Sequence, residues 1–218
     1  MPYRAVIFDL DGTLLDTIED LCDSMNAALA RLGHPARTIG ECKTLVGDGL
    51  DMFVRRALPP GRADDADEQG RLKALMQAEY AARNAVKTRL YDGIAALLDA
   101  LAGRRTPMAV LSNKPHGSTR TVVAHYLARW PFAAVFGARD GIPVKPDPGA
   151  ALEIAAVLGL PPAEIAYLGD TNTDMRTASA AGMFAVGALW GFRTAEELRA
   201  NGARALIAAP LDLLPLLD

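Results

Sequence analysis

Asp9 and Asp11 lie two residues apart directly behind the apolar run Ala5-Val6-Ile7-Phe8. Two carboxylates at that spacing cannot both ionise cheaply unless a cation or a shared proton intervenes, and a divalent metal is the simplest remedy. The competing reading is an Asp-rich turn whose side chains only hydrogen-bond the backbone. Two further apolar runs end in residues able to handle phosphate: Ser112 and Asn113 follow Pro107–Leu111, and Asp170 and Asp174 follow Ile165–Leu168. Taken singly, Ser112, Asp170 or Thr171 reads equally as a helix cap. Three such endings in one chain point instead to a shared site. Lys145 stands close to Pro146 and Pro148, whose fixed φ angles stiffen the backbone and can aim its side chain.

Bringing these groups together requires a particular scaffold. The β-branched and aromatic runs read as buried strands broken by Asp/Gly turns, with strands expected over 5–8, 107–111, 133–136, 165–168, 184–186 and 205–207. Apolar residues at helical spacing, beginning with Ile18, Leu21, Cys22, Met25 and Leu29, predict a helix closed by Gly33. Further helices are expected over 39–46, 50–58, 71–87, 94–101, 116–128, 149–158, 175–181 and 195–201. From Tyr91 onward strand and helix take turns, which predicts an α/β fold with a parallel sheet covered on both faces. All three polar endings then share the sheet edge at which open α/β sheets bind ligands. The stretch between Asp9 and Ser112 far exceeds the dozen or so residues a crossover needs. It is mostly helical, so residues 16–89 are expected to form an inserted helical cap, with 1–15 and 90–218 as the core. Hinges near Asp16 and near Leu90-Tyr91 would make the insert a lid. Asp16 is expected to cap its first helix.

The totals narrow the function. The 218 residues are 50% hydrophobic and carry a formal net charge of −3, with a pI near 5.6. No Lys/Arg run advertises a nucleic-acid or anionic-membrane partner. No stretch approaches the ~20 apolar residues of a membrane span, and the N-terminus lacks a signal-like core, so a cytoplasmic location is expected. Cys22 and Cys42 form no C-x-x-C pattern, which favours buried thiols in a reducing compartment over a disulfide. His34, His116 and His125 show no mutual ligand spacing.

The ordered set Asp9-Leu10-Asp11-Gly12-Thr13-Leu14-Leu15-Asp16, Ser112-Asn113-Lys114, Lys145-Pro146-Asp147-Pro148 and Gly169-Asp170-Thr171-Asn172-Thr173-Asp174 resembles the four motifs of haloacid dehalogenase superfamily phosphatases. Val46-Gly47-Asp48-Gly49-Leu50, Ser112 to Pro115 and Leu189-Trp190-Gly191-Phe192 resemble the phosphoglycolate phosphatases among them. The resemblance implies a Rossmann-like three-layer core with an α-helical cap. It implies Asp9 as nucleophile, Asp11 as acid and base, and Lys145 as the group balancing charge. Ser112, Asn113 and Lys145 would bind the phosphoryl group; Mg2+ would take oxygens of Asp9, Asp170 and the Asp11 backbone carbonyl; Asp174 and Thr13 would support them.

The expected activity is hydrolysis of a small phosphomonoester through an aspartyl-phosphate, with 2-phosphoglycolate the favoured substrate. A halide leaves without a proton, so an acid at Asp11 points to phosphate rather than dehalogenation. A sugar-phosphate mutase, nucleotidase or pyrophosphatase of the same superfamily stays open, as does a non-catalytic metabolite-binding protein. The expected partner is a small phosphorylated metabolite, met by a monomer or homodimer. Lys43, Arg55 and Arg56, flanking Gly47-Asp48-Gly49, are candidates to hold a substrate carboxylate.

Overall fold

The computed structural model describes residues 3–218 and divides them into two compact units. One consists of Asp16 and what precedes it together with Leu90–Asp218; the other is Thr17–Arg89.

The first unit is built on six strands: β1 (Ala5–Phe8), β4 (Met108–Pro115), β5 (Phe132–Ala138), β6 (Ile165–Gly169), β7 (Phe184–Ala188) and β8 (Ala205–Ile207). They form one wholly parallel sheet in the order β5-β4-β1-β6-β7-β8. Strand alternation divides the core in two. Val6, Phe8, Val110, Leu168 and Val186 face α5 (Ile94–Gly103), α6 (His116–Tyr126) and the C-terminal α10 (Leu214–Leu217). Ala5, Ile7, Ala109, Leu111, Tyr167 and Ala185 face α7 (Gly149–Leu158), α8 (Asn172–Ala180) and α9 (Ala195–Ala200). Two-sided burial of this kind is why β1 and β6 read as unbroken apolar runs. The result is the three-layer Rossmann-like fold expected from the sequence.

The sheet order reverses between β1 and β6, the switch point at which such folds bind ligands. Phe8 is level with both Val110 and Leu168, so the residues that follow them leave the sheet at one edge.

The second unit contains α1 (Ile18–Arg31), α2 (Ile39–Leu45), α3 (Leu50–Ala57) and α4 (Ala66–Arg83). The last begins five residues before its expected start, because Asp65 caps it by accepting from Glu68 N at 3.1 Å. Thr17, not Asp16, is the N-cap residue of α1; Asp16 lies in β2 (Leu15–Asp16), which pairs with β3 (Arg89–Leu90). Strands of two residues carry no periodicity, so neither leaves a pattern to read.

A second correction concerns the cysteines. Cys22 and Cys42 are both buried and are joined as a disulfide, with their Cα atoms 5.8 Å apart. Their separation of 20 residues says nothing of how α2 folds back onto α1. The pairing also removes the thiols as a ground for placing the protein in a reducing compartment. Among the described residues, no helix is long and apolar enough to cross a membrane.

Within this unit Asp20 is fully buried yet well satisfied. Its carboxylate accepts from Lys87 N, from Thr88 N at 2.8 Å and from Thr88 Oγ1 at 2.7 Å. The returning chain is thereby tied to the first turn of α1. Asp20→Ala leaves those donors without an acceptor and is expected to cost on the order of 2–3 kcal/mol, measured by denaturant unfolding.

Candidate active site

β1 ends in a tight turn that carries Asp9 and Asp11. Asp9 N donates to Leu168 O of the neighbouring β6 at 2.9 Å, and Leu14 N and Leu15 N both return to Leu10 O at 3.0 Å. Gly12 has a φ of +89°, and a side chain there would also press on Asp170, with Cγ only 2.7 Å from the Cβ position. Glycine therefore serves twice, for the turn and for the close approach.

Asp9, Asp170 and Asp174 are buried together, each with a carboxylate oxygen within 4.8 Å of the others. Lys145 joins two of them: its Nζ lies 2.9 Å from Asp9 Oδ1 and 2.7 Å from Asp174 Oδ1, and it also donates to Leu111 O at 3.1 Å. Asp174 is saturated by protein donors, since Tyr167 Oη donates to Oδ1 at 3.2 Å while Thr171 N and Oγ1 donate to Oδ2 at 3.0 and 2.7 Å. This reciprocal Thr171–Asp174 box starts α8 three residues earlier than its apolar pattern predicts.

Asp170 is held from two sides. Thr13 Oγ1 donates to Oδ1 at 2.9 Å and Phe192 N to Oδ2 at 2.8 Å. Trp190 in the same loop donates its indole Nε1–H to Thr13 O at 3.0 Å. Between them Gly191 lies so close that an added Cβ would collide with the Asp170 side chain, Cγ included.

The electrostatics follow from burial. Burial first, then Asp174, push the Asp9 carboxyl well above its ordinary value, against the pull of Lys145. Burial and Asp174 raise Asp170 to about 7, although Phe192 N, Thr13 and Arg193 oppose them. Burial works against the Lys145 ammonium, but Asp174 and Asp9 outweigh it and hold Lys145 well above its usual range. Burial also raises Tyr167. Were all three carboxylates ionised, the one ammonium, which touches only Asp9 and Asp174, would leave two negative charges to be balanced. Hard oxygen donors short of two positive charges fit a divalent cation of the magnesium type.

Ser112 and Asn113 leave the neighbouring strand β4 at the same edge. Ser112 Oγ accepts from Lys114 N at 3.2 Å. The Asn113 amide is engaged with the Lys145 backbone, Nδ2 donating to Lys145 O and Oδ1 accepting from Lys145 N, both at 2.9 Å. Its side chain thus clips the lysine loop to β4. Asp11 is turned to Lys114, whose Nζ lies 2.9 and 2.7 Å from its two oxygens. Thr13 supports Asp170 through its hydroxyl.

Lys114, Trp190 and Phe192 stand in the sequence as members of motifs that carry the resemblance but without a role of their own, and Tyr167 stands in none. Tyr167 reads there as a core strand residue, and Lys114 as a lysine beyond a strand end. Of the three candidates in the helical unit, Arg56 pairs with Asp48 at 2.6 Å and Arg55 with Asp64 at 2.7 Å, while Lys43 also has a partner.

The parallel sheet with its acid cluster at the switch point is that of a doubly wound α/β protein with a ligand-binding edge, and comparison gives the family. The model for haloacid dehalogenase-like hydrolases matches residues 6–188. The chain is 35% identical to the phosphoglycolate phosphatase of Rhodospirillum rubrum over 209 residues, covering 93% of this chain and 86% of that protein. It is 30% identical to that of Yersinia pseudotuberculosis over 213 residues, covering 97% and 92%. A solved structure from Haemophilus somnus 129PT, named as a predicted phosphoglycolate phosphatase, superposes with a TM-score of 0.91 at 25% identity, covering 99% and 98% of the two chains. The chain belongs to the haloacid dehalogenase-like hydrolase family.

One expectation follows from the charge balance. In metal-free protein Asp170 keeps its proton to about pH 7 when folded but loses it near pH 4 when unfolded. The folded state then binds more protons, so stability falls as pH rises across that window. Thermal melts in EDTA should show this decline between about pH 4 and 7, and excess divalent cation should flatten it.

Proposed function

We propose that this protein is a Mg2+-dependent phosphatase that hydrolyses a small phosphomonoester, 2-phosphoglycolate, through an aspartyl-phosphate on Asp9. The observation that carries this reading is the gathering of Asp9, Asp170 and Asp174 at the switch point of the sheet, with Lys145 between Asp9 and Asp174. The names of the relatives support the substrate.

A carboxylate needs no deprotonation step once ionised, so Asp9 attacks phosphorus directly and splits one hard displacement into two. Asp11 gives a proton to the departing alkoxide. In the second step it takes one from the water that attacks the phosphoenzyme, and Asp9 is released as a carboxylate. Oxygens of Asp9 and Asp170, with the Asp11 carbonyl, would hold Mg2+, which supplies positive charge against the phosphoryl oxygens. Lys145 neutralises charge that would otherwise repel the phosphate, and Asp174 with Tyr167 aims it. Ser112 hydrogen-bonds a phosphoryl oxygen, while Asn113 acts by fixing the Lys145 backbone. Residues 16–89 serve as the cap that selects for a small substrate.

With Mg2+, the protein is expected to turn over 2-phosphoglycolate ahead of sugar phosphates, nucleotides and pyrophosphate in a phosphate-release assay. Asp9→Asn should abolish this while circular dichroism shows an intact fold; residual turnover by a homogeneous sample of that variant would remove Asp9 as nucleophile. Asp11→Asn should slow 2-phosphoglycolate by about 100-fold or more. Aryl phosphates, whose leaving groups need no proton, should suffer much less where phosphorylation of the enzyme limits the rate. Equal losses would argue against proton transfer by Asp11.

A further inference from the structure

The second lysine of the β4 edge has no task in the scheme above. Lys114 is buried, and its side chain is only 5% exposed where it meets Asp11, itself 16% exposed. Both Asp11 oxygens are within 2.9 Å of one Nζ, a contact that fixes the carboxylate in direction as well as position. The lysine is itself well anchored. Its backbone N–H donates to Ser112 Oγ, and its carbonyl accepts from Thr119 Oγ1 of α6 at 3.0 Å. Thr119 is fully buried, so the strand end is braced against the helix behind it. Asp11 follows Asp9 in a turn whose backbone hydrogen bonds set where the main chain goes, but they leave the side-chain rotamer undetermined.

We infer that Lys114 is a positioning residue for Asp11: it holds the Asp11 carboxylate in the orientation from which it serves the leaving group, and it acts on the reaction only through Asp11. This rests on the acid–base role proposed for Asp11. A group that must meet one oxygen of a bound ester gains from a fixed direction, and a displacement of about 1 Å can cost on the order of 100-fold in rate. An apolar residue at 114 would leave Asp11 free to rotate. Arginine keeps the charge and can grip both oxygens.

A double-mutant cycle tests the inference, using Asp11→Asn, Lys114→Met, the two combined, and Lys114→Arg. Each is assayed with Mg2+ on 2-phosphoglycolate and on p-nitrophenyl phosphate. Lys114→Met is expected to lower kcat on 2-phosphoglycolate by about 10- to 100-fold with little change in KM, and to lower aryl phosphate turnover far less. Lys114→Arg should recover most of that loss. In the Asp11→Asn background, Lys114→Met should cost less than about twofold more, because the group it positions is already gone.

Equal losses on the two esters, a change confined to KM, or an undiminished penalty in the Asp11→Asn background would each overturn the inference. If Lys114→Met alone does not fold, because it strands the Asp11 charge, Lys114→Gln takes its place in the cycle: its amide still offers Asp11 a donor but no longer grips both oxygens, and the same outcomes decide. The two readings fail separately. Asp11→Asn acting equally on both esters defeats the acid–base role. An ester-selective Asp11→Asn with additive Lys114→Met defeats only the positioning role.

Discussion

Three buried carboxylates with oxygens within 4.8 Å of one another are an unstable arrangement, and the core unit is organised around making it tolerable. Like charges in a water-poor setting repel strongly, and burial alone favours their neutral forms. Lys145 offsets part of the repulsion by lying between Asp9 and Asp174. Donors from five other residues complete the set: Thr13, Tyr167, Thr171 and Phe192 on the acids, and Asn113 on the lysine's backbone. Replacing buried ion pairs by apolar residues is often neutral or stabilising, so stability does not account for such a cluster. Its chemistry does, and strongly shifted groups concentrate where chemistry happens.

The parallel register makes the gathering possible. Strands β1, β4 and β6 run side by side with Phe8, Val110 and Leu168 at one level, so residues far apart in sequence emerge together. The loop after β7 then closes the site from a fourth direction. Trp190 grips the backbone of the first turn and the Phe192 amide grips Asp170, with Gly191 leaving the space for both. The acid at the end of β6 is thus fixed by residues from the first and the fifth strand-ending turns of the sheet.

The elements with two-sided burial are the most legible in the sequence. Runs such as Ala5–Phe8 and Ile165–Leu168 announce themselves as strands because neither face meets water, and α7 spans the same residues in pattern and structure. Starts set by a single cap are harder to read: Asp65 and Thr171 launch α4 and α8 ahead of the first periodic apolar residue. The acids of the cluster are visible because each follows such a run. Their supports are not. Tyr167 looks like core until its hydroxyl meets Asp174, and the hold of the Asn113 amide on the Lys145 backbone leaves no mark in the sequence. The Cys22–Cys42 pairing runs against the sequence expectation because proximity there depends on how two helices pack, which spacing along the chain does not record.

The pairing of β2 with β3 has a consequence of a different kind. The chain departs from the sheet scaffold through Leu15–Asp16 and rejoins it through Arg89–Leu90, two neighbouring strands only two residues long. An excursion with adjacent endpoints places no demand on the length or shape of what lies between. Recombination could trade this module for another without disturbing a single ladder of the sheet.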